Sequence, residues 1–420
     1  MTPATQRTKP AEPKSKPAPR AFFRAMLGHI LESSTGFQLW CGGLLGFVLL
    51  GVWAYGQQFT LGLQVTGMGD QILWGLYIGN FTFLVGVAAA AVILLIPVVF
   101  FQRQEMGSVV LLGECLAIAA VTMSLLFVFV DLGQPLRIWH ALPLIGTLHF
   151  PTSILAWDMV VLTAYLLLNA SLVFIQFKGQ YQGRPLSKKK LKPWLIGAIV
   201  LGIAIHTVTA FMLSGNPARP FWYSAVLAPR FIASAFAAGG ALMILTFRLL
   251  DGISEFTLHH AVERTLTGIV AVSMVINLFL LGSEFFIHFY RHTEHALSAQ
   301  YLYWGLPGAD ALTLPVRLAI AANGLAGLIL IIRPWRHRRW LLNGACLLAL
   351  GGIWTEKGLG LVVPAFIPTP LGEVVEYTPS LIEIEISLGI WAFGGLLFTL
   401  LARLAVGLSA GTLRQKRRLA

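Results

Sequence analysis

Apolar runs of roughly 20 residues recur along the chain, near 36–56, 72–101, 109–130, 152–177, 192–213, 227–249, 263–287, 313–333, 338–354 and 381–402. Each is long enough to cross a hydrocarbon core of ~30 Å. A backbone in lipid must satisfy its own hydrogen bonds, so the runs read as helices. Only 11% of residues are charged, and mean hydropathy is +0.75, whereas soluble domains carry about a quarter charged residues. The fold class is therefore an all-α polytopic membrane protein of about ten transmembrane helices.

The formal net charge of +12 would invite nucleic acid in a soluble protein. Here 24 of the 30 Lys and Arg residues fall in the N-terminal tail, in stretches 102–108, 178–192, 248–264 and 333–339, and at the C-terminal end. Arg137, Arg219, Arg230, Arg291, Arg317 and Lys357 make up the rest. That is the positive-inside pattern. It predicts both termini in the cytoplasm and no nucleic-acid partner. The N-terminal tail is Pro- and Lys-rich and lacks an apolar h-region, so no cleavable signal peptide is expected. Residues 1–19 read as disordered, and Arg20 to Leu31 as a helix on the inner membrane surface.

Three cysteines, Cys41, Cys115 and Cys346, each lie inside an apolar run, without any C-x-x-C or C-x-x-C-H spacing. No P-loop or dinucleotide fingerprint occurs either. The expectation is a chain with no iron–sulfur cluster or haem of its own and no metal site. His288, His292 and His295 have ligand-like spacing, but a haem between helices needs histidines facing each other at one depth, and His206 has no evident mate.

Phe81 to Ile96 and Phe231 to Thr246 are both rich in small residues, at an offset of about 150 residues. Each is followed by a span ending in an acidic residue, Asp131 or Glu284, and then by an aromatic outer loop. This reads as a parallel duplication of a four-helix unit. The organisation expected is a cytoplasmic tail and interfacial segment (1–35), a flanking helix (36–56), a first four-helix bundle (72–213) and a second (227–354). An outer loop (355–380), a last helix (381–402) and a basic cytoplasmic tail (403–420) follow. Ser380 and Glu383 have capping-box spacing.

Charge in hydrocarbon costs roughly 2.5–3.5 kcal/mol on insertion scales, so ionisable residues near the spans need a partner, water or a job. Asp158, just below the outer surface, is either a cap or structural pair with Arg137 or a functional acid. His140 is placed to bond a ligand carbonyl or simply to be solvated. Asn80 either donates to a ligand or bridges two helices. His206 reads as a helix-to-helix contact or part of a proton path; for Glu284, Arg317 and Glu385 an interhelical salt bridge competes with a functional role. Glu114 lies roughly five residues, or ~8 Å, inside the cytoplasmic boundary and is either a buried hydrogen-bonding group or part of a proton path.

The segments WGLYIGNFTFLVG (74–86), FVDLGQPLRIWH (129–140) and SILAWD (153–158) resemble the NrfD/PsrC family, the quinone-interacting membrane subunits of iron–sulfur oxidoreductases. SAQYLYWGL (298–306), the stretch 354–373 and EYTPSLIE (376–383) look closest to the DsrP branch, found in DsrMKJOP sulfur-metabolism complexes. The resemblance implies a pair of four-helix bundles with flanking spans in a bacterial cytoplasmic (inner) membrane. It also implies a menaquinone or ubiquinone near the outer surface, and an outer-face ferredoxin-like iron–sulfur subunit docked there. A cytochrome and further membrane or cytoplasmic subunits would complete the complex. The motifs carry over Asp131, Arg137, His140 and Asp158; Gln134 stands where many relatives have Arg.

A quinone site needs an apolar slot and groups that exchange protons near the working pH. His140 and Asp158 are the expected acid–base pair, and Asp131 and Arg137 the ion pair holding the loop. Trp74, Tyr77 and Trp139 would wall the ring with Asn80 nearby, while Glu114, Asp158, His206 and Glu284 would mark a proton path. A structural anchor without its own quinone site, or a secondary transporter with polar residues nearer the midplane, are the competing readings.

Overall fold

Ten helices are long and apolar enough to cross a membrane, in a computed structural model that describes residues 19–141, 145–184, 186–290 and 296–413. They are α1 (Thr35–Leu61), α2 (Leu76–Val99), α3 (Gly107–Asp131), α4 (Ile154–Tyr181), α5 (Lys188–Ser214), α6 (Leu227–Ile253), α7 (His260–Tyr290), α8 (Thr313–Ile331), α9 (Arg339–Phe366) and α10 (Leu381–Ala410). Each coincides with one expected run, and the chain is a multi-pass membrane protein. Its helix ends define a basic end, which carries the arginine- and lysine-rich turns, and an opposite end. The ninth span differs most from expectation. Its helical run passes 354 and continues through Leu359–Val362 and Val363–Phe366, burying Glu356 and Lys357. His292 and His295 fall outside the described residues.

Helix contacts close α2, α3, α4 and α5 into one ring and α6, α7, α8 and α9 into another. The rings meet where α2 packs on α6, flanked by α5 on α6 and by α9 on α2. Exchanging the two rings maps this set of contacts onto itself. The flanking helices α1 and α10 pack on each other, and α10 also lies against α3, α2 and α4.

Lipid tails are as apolar as leucine, so association inside a bilayer relies on close packing rather than on water exclusion. The sequence supplies small residues at two close crossings. A Cβ on Gly239 of α6 would fall 3.3 Å from Cα of Ala90 on α2. A Cβ on Gly389 of α10 would fall 2.6 Å from Cα of Gly51 on α1. Within α2 the helix is interrupted at Ala90. There the Tyr165 hydroxyl of α4 donates to the Ala88 carbonyl at 3.1 Å, partnering a backbone acceptor where the ladder breaks.

Two shorter elements fix the ends. The helix Pro19–Leu31 buries Phe22 and Met26, and Phe22 packs edge-on against Phe174 and Tyr181 of α4. At the start of α10, Ser380 and Glu383 form the expected capping box. Glu383 also accepts from the Gly67 amide at 2.6 Å and the Tyr377 hydroxyl at 2.5 Å, so one carboxylate ties two loop segments to the start of α10.

Candidate functional site

Asp158 lies in the second turn of α4, 4% exposed. Thr209 of α5 donates to its Oδ1 at 2.5 Å, and no cation pairs with it among the described residues. The loop entering α4 begins with a 3₁₀ turn, Pro135–Ala141, where proline fixes φ and removes a donor. That turn presents Trp139 and His140 with their rings stacked, centroids 3.9 Å apart at 27°. His140 Nδ1 sits 3.2 Å from Thr147 Oγ1. His140 and Asp158 thus each hydrogen-bond a threonine rather than each other.

The expected pair between Asp131 and Arg137 does not form. Asp131 is the last residue of α3 and its Oδ1 is buried without a partner. Arg137 is exposed in the 3₁₀ turn, and neither belongs to any ion pair among the described residues. The helix end and the turn point the two side chains into different surroundings.

The residues expected to wall a ring have other partners. Trp74 stacks on Trp222, centroids 5.5 Å apart, and meets Phe366 edge-on, while Trp139 is on His140. Tyr77 is fully buried. Its hydroxyl donates to Gln58 Oε1 at 2.6 Å, and Gln58 donates onward to the Val130 carbonyl at 2.6 Å. Asn80 bridges helices: its Oδ1 accepts from the indoles of Trp354 on α9 and Trp391 on α10 at 2.9 and 3.2 Å.

Two proton-path candidates are buried with one atom unpartnered. Glu114 accepts from Gln176 of α4 at 2.6 Å through Oε2, leaving Oε1 alone. His206 has Nδ1 3.1 Å from the Gly202 carbonyl and an unpartnered Nε2.

The largest buried charge cluster is in the second ring, and sequence reasoning did not assemble it. Arg230 of α6 pairs at once with Glu284 of α7 and Glu356 of α9, all three side chains being nearly inaccessible. Asn323 of α8 donates to the other oxygen of Glu356 at 3.1 Å. Lys357 Nζ donates to the Arg230 carbonyl at 3.2 Å and lies 3.6 Å from the ring centroid of Phe231, within cation–π range. Glu284 thus takes the interhelical salt bridge considered for it. A small cleft opens onto this cluster from the opposite end, between Phe221, His288 and Tyr303, with Phe221 and His288 stacked 5.1 Å apart. Burial pushes the Tyr303 phenol above the usual tyrosine range, opposed by Arg230. The signal was available: Arg230 abuts an apolar run, and the cost that singled out Glu114 applies equally to it. Glu356 lay just past the expected end of its span.

Both assemblies combine acid–base groups with buried surroundings at the opposite end. They can hold and exchange protons, and the second is neutral overall when its two cations and two carboxylates are all charged.

Comparison with known proteins adds the family. A protein of Halobacterium salinarum, named as a candidate membrane component (the C component) of a dimethyl sulfoxide reductase, is 25% identical over 403 residues, covering 85% of this chain and 88% of that one. The C component of the selenate reductase of Mesobacillus selenatarsenatis is 22% identical over 413 residues, covering 86% and 92%. The family described as polysulphide reductase, NrfD, matches residues 64–359, across both rings, so the chain belongs to the NrfD family.

Proposed function

We propose that this chain is the quinone-interacting membrane subunit of an oxidoreductase complex, with its acid–base site at the mouth of the first ring. The observation that carries this reading is Asp158, a buried carboxyl tied, among the described residues, only to Thr209, in the helix that follows the His140 loop. The surroundings fit an isoprenoid quinone. Leu136, Ile138, Phe150 and Trp157 expose apolar surface along the loop and the start of α4, as a tail entering from lipid requires. A bound quinone supplies two-electron, two-proton chemistry. His140 then holds a proton beside the head group, Trp139 supports its ring, and Asp158 exchanges protons with the interior. Glu114, His206 and Glu284 are the further positions proposed for proton movement.

The charge pattern supports cytoplasmic termini, and on that orientation the site would lie at the outer leaflet. The two rings are read as a parallel duplication, which the exchange symmetry of their contacts supports. Electrons would be exchanged with an outer-face ferredoxin-like iron–sulfur subunit, in a complex that also includes a cytochrome. The two relatives are named for dimethyl sulfoxide and selenate reduction; a role in sulfur metabolism rests on the DsrP-like segments 298–306, 354–373 and 376–383. His140→Ala in the native complex should abolish quinol-dependent reduction of the partner without preventing assembly, and unchanged turnover would refute the assignment. Glu114→Gln should slow proton uptake in the same assay, and a normal rate would remove Glu114 from the path.

A further inference from the structure

At the basic end, the close of α6, the start of α7 and the turn between α8 and α9 surround an open cleft. Its charged lining is Arg248, His260, Glu263, Arg264, Arg336, His337 and Arg339. Arg248 is already engaged: it pairs with Glu263, bonds Asn343, and donates to the Arg339 carbonyl at 3.1 Å. That pairing neutralises the one carboxylate lining the cleft.

Arg264, Arg336 and Arg339 are left without a carboxylate among the described residues. Arg264 and Arg339 are exposed, and Arg336 reaches only the Leu330 carbonyl, at 3.5 Å. In addition, α9 begins at Arg339 behind Arg338, whose side chain makes no capping bond. The first amides of α9 therefore add donors and a favourable dipole for an anion. Trp335 and Trp340 are 39% and 69% exposed on either side of these arginines in the chain, and tryptophan favours the headgroup level of a bilayer.

We propose that this cleft binds a phosphate anion, supplied by the headgroup of an acidic phospholipid in the leaflet at the basic end. Guanidinium forks match phosphate oxygens in pairs, and basic pockets between spans are the type of site that holds anionic headgroups. The cleft lies at the other end of the molecule from Asp158 and His140 and is independent of their role.

The test uses the purified full-length chain, with native mass spectrometry and thermal unfolding in the presence of phosphatidylglycerol, phosphatidylcholine or inorganic phosphate. The variant Arg264→Gln/Arg339→Gln should bind phosphatidylglycerol about thirtyfold more weakly than the parent protein, given the usual contribution per basic residue at an anionic surface. The charge-matched control Lys188→Gln/Arg333→Gln, outside the cleft lining, should bind it normally, and Arg264→Lys/Arg339→Lys should recover only part of the loss. Protection by inorganic phosphate equal to that by the lipid, and lost in the same variant, would keep the phosphate site but assign it to a soluble anion. Equal losses in the cleft variant and the charge-matched control, or no preference for phosphatidylglycerol over phosphatidylcholine, would overturn the proposal.

Discussion

Thr209 on α5 donates a 2.5 Å hydrogen bond to Asp158 on α4, and this bond joins the two helices that close the mouth of the first ring. Asp158→Asn keeps an acceptor for Thr209 while removing the ionisable group. Its expected effect is a thermal midpoint close to the parent value with quinol-dependent turnover lowered roughly 100-fold, within the usual reach of acid–base groups. Thr209→Val should instead cost about 1–3 kcal/mol by stranding a buried carboxyl. Detergent unfolding and turnover, measured on both variants, separate the two effects; normal turnover in Asp158→Asn would exclude the residue from catalysis.

Arg230 serves two carboxylates from one guanidinium. Removing one partner of a buried ion pair costs about 3–5 kcal/mol because charge is left uncompensated. Arg230→Met should therefore destabilise the second ring strongly. Arg230→Lys should rescue little, since an ammonium has no planar fork to span Glu284 and Glu356. The double variant Arg230→Met/Glu284→Gln, which leaves Glu356 and Lys357 to balance each other, should regain much of the loss. Thermal unfolding of the three proteins is the check, and parent-like stability of Arg230→Met would contradict the pairing.

Asn80 accepts from two indoles on separate helices. Asn80→Leu leaves both donors unpaired, and the expected cost is about 1–3 kcal/mol. Changed tryptophan fluorescence should accompany it, from Trp354 and Trp391. A variant as stable as the parent with an unchanged spectrum would refute the bridge.

Alkaline pH probes the connections at the opposite end. Burial pushes Tyr301 up to about 12; burial, with the charge of Glu383 adding to it, pushes Tyr377 higher than an ordinary tyrosine. A tyrosine of about 10 in the unfolded chain is neutral below that pH in both states. The stabilisation is therefore complete below about pH 10 and is lost as pH rises through the folded-state value. Among the described residues the Tyr301 hydroxyl has no hydrogen-bond partner, so Tyr301→Phe should flatten the loss of thermal stability between about pH 10 and 12 with little change at neutrality. Tyr377→Phe should weaken the protein at neutral pH as well, because its hydroxyl bonds both Glu383 and the Leu76 amide. Identical alkaline curves for Tyr301→Phe and the parent would refute the assignment.

What the sequence revealed and what it concealed differ in physical kind. The ten spans follow from composition, and the Ser380–Glu383 box from local spacing. Partners remote in sequence are invisible to either signal. Asn80 meets Trp354 and Trp391 at separations of 274 and 311 residues, so its two uses looked equal before the fold was known. Asp131 and Arg137, close in sequence, looked like a pair but are parted by the end of a helix. Arg230 read as the edge of an outer loop because its carboxylates come from α7 and α9.

The crossing of Gly239 on Ala90 has a consequence for traffic. Backbones in near contact leave no room for an isoprenoid chain between α2 and α6 at that crossing. A bulky molecule exchanged with the membrane cannot slip between these two helices there and must reach either ring from another side.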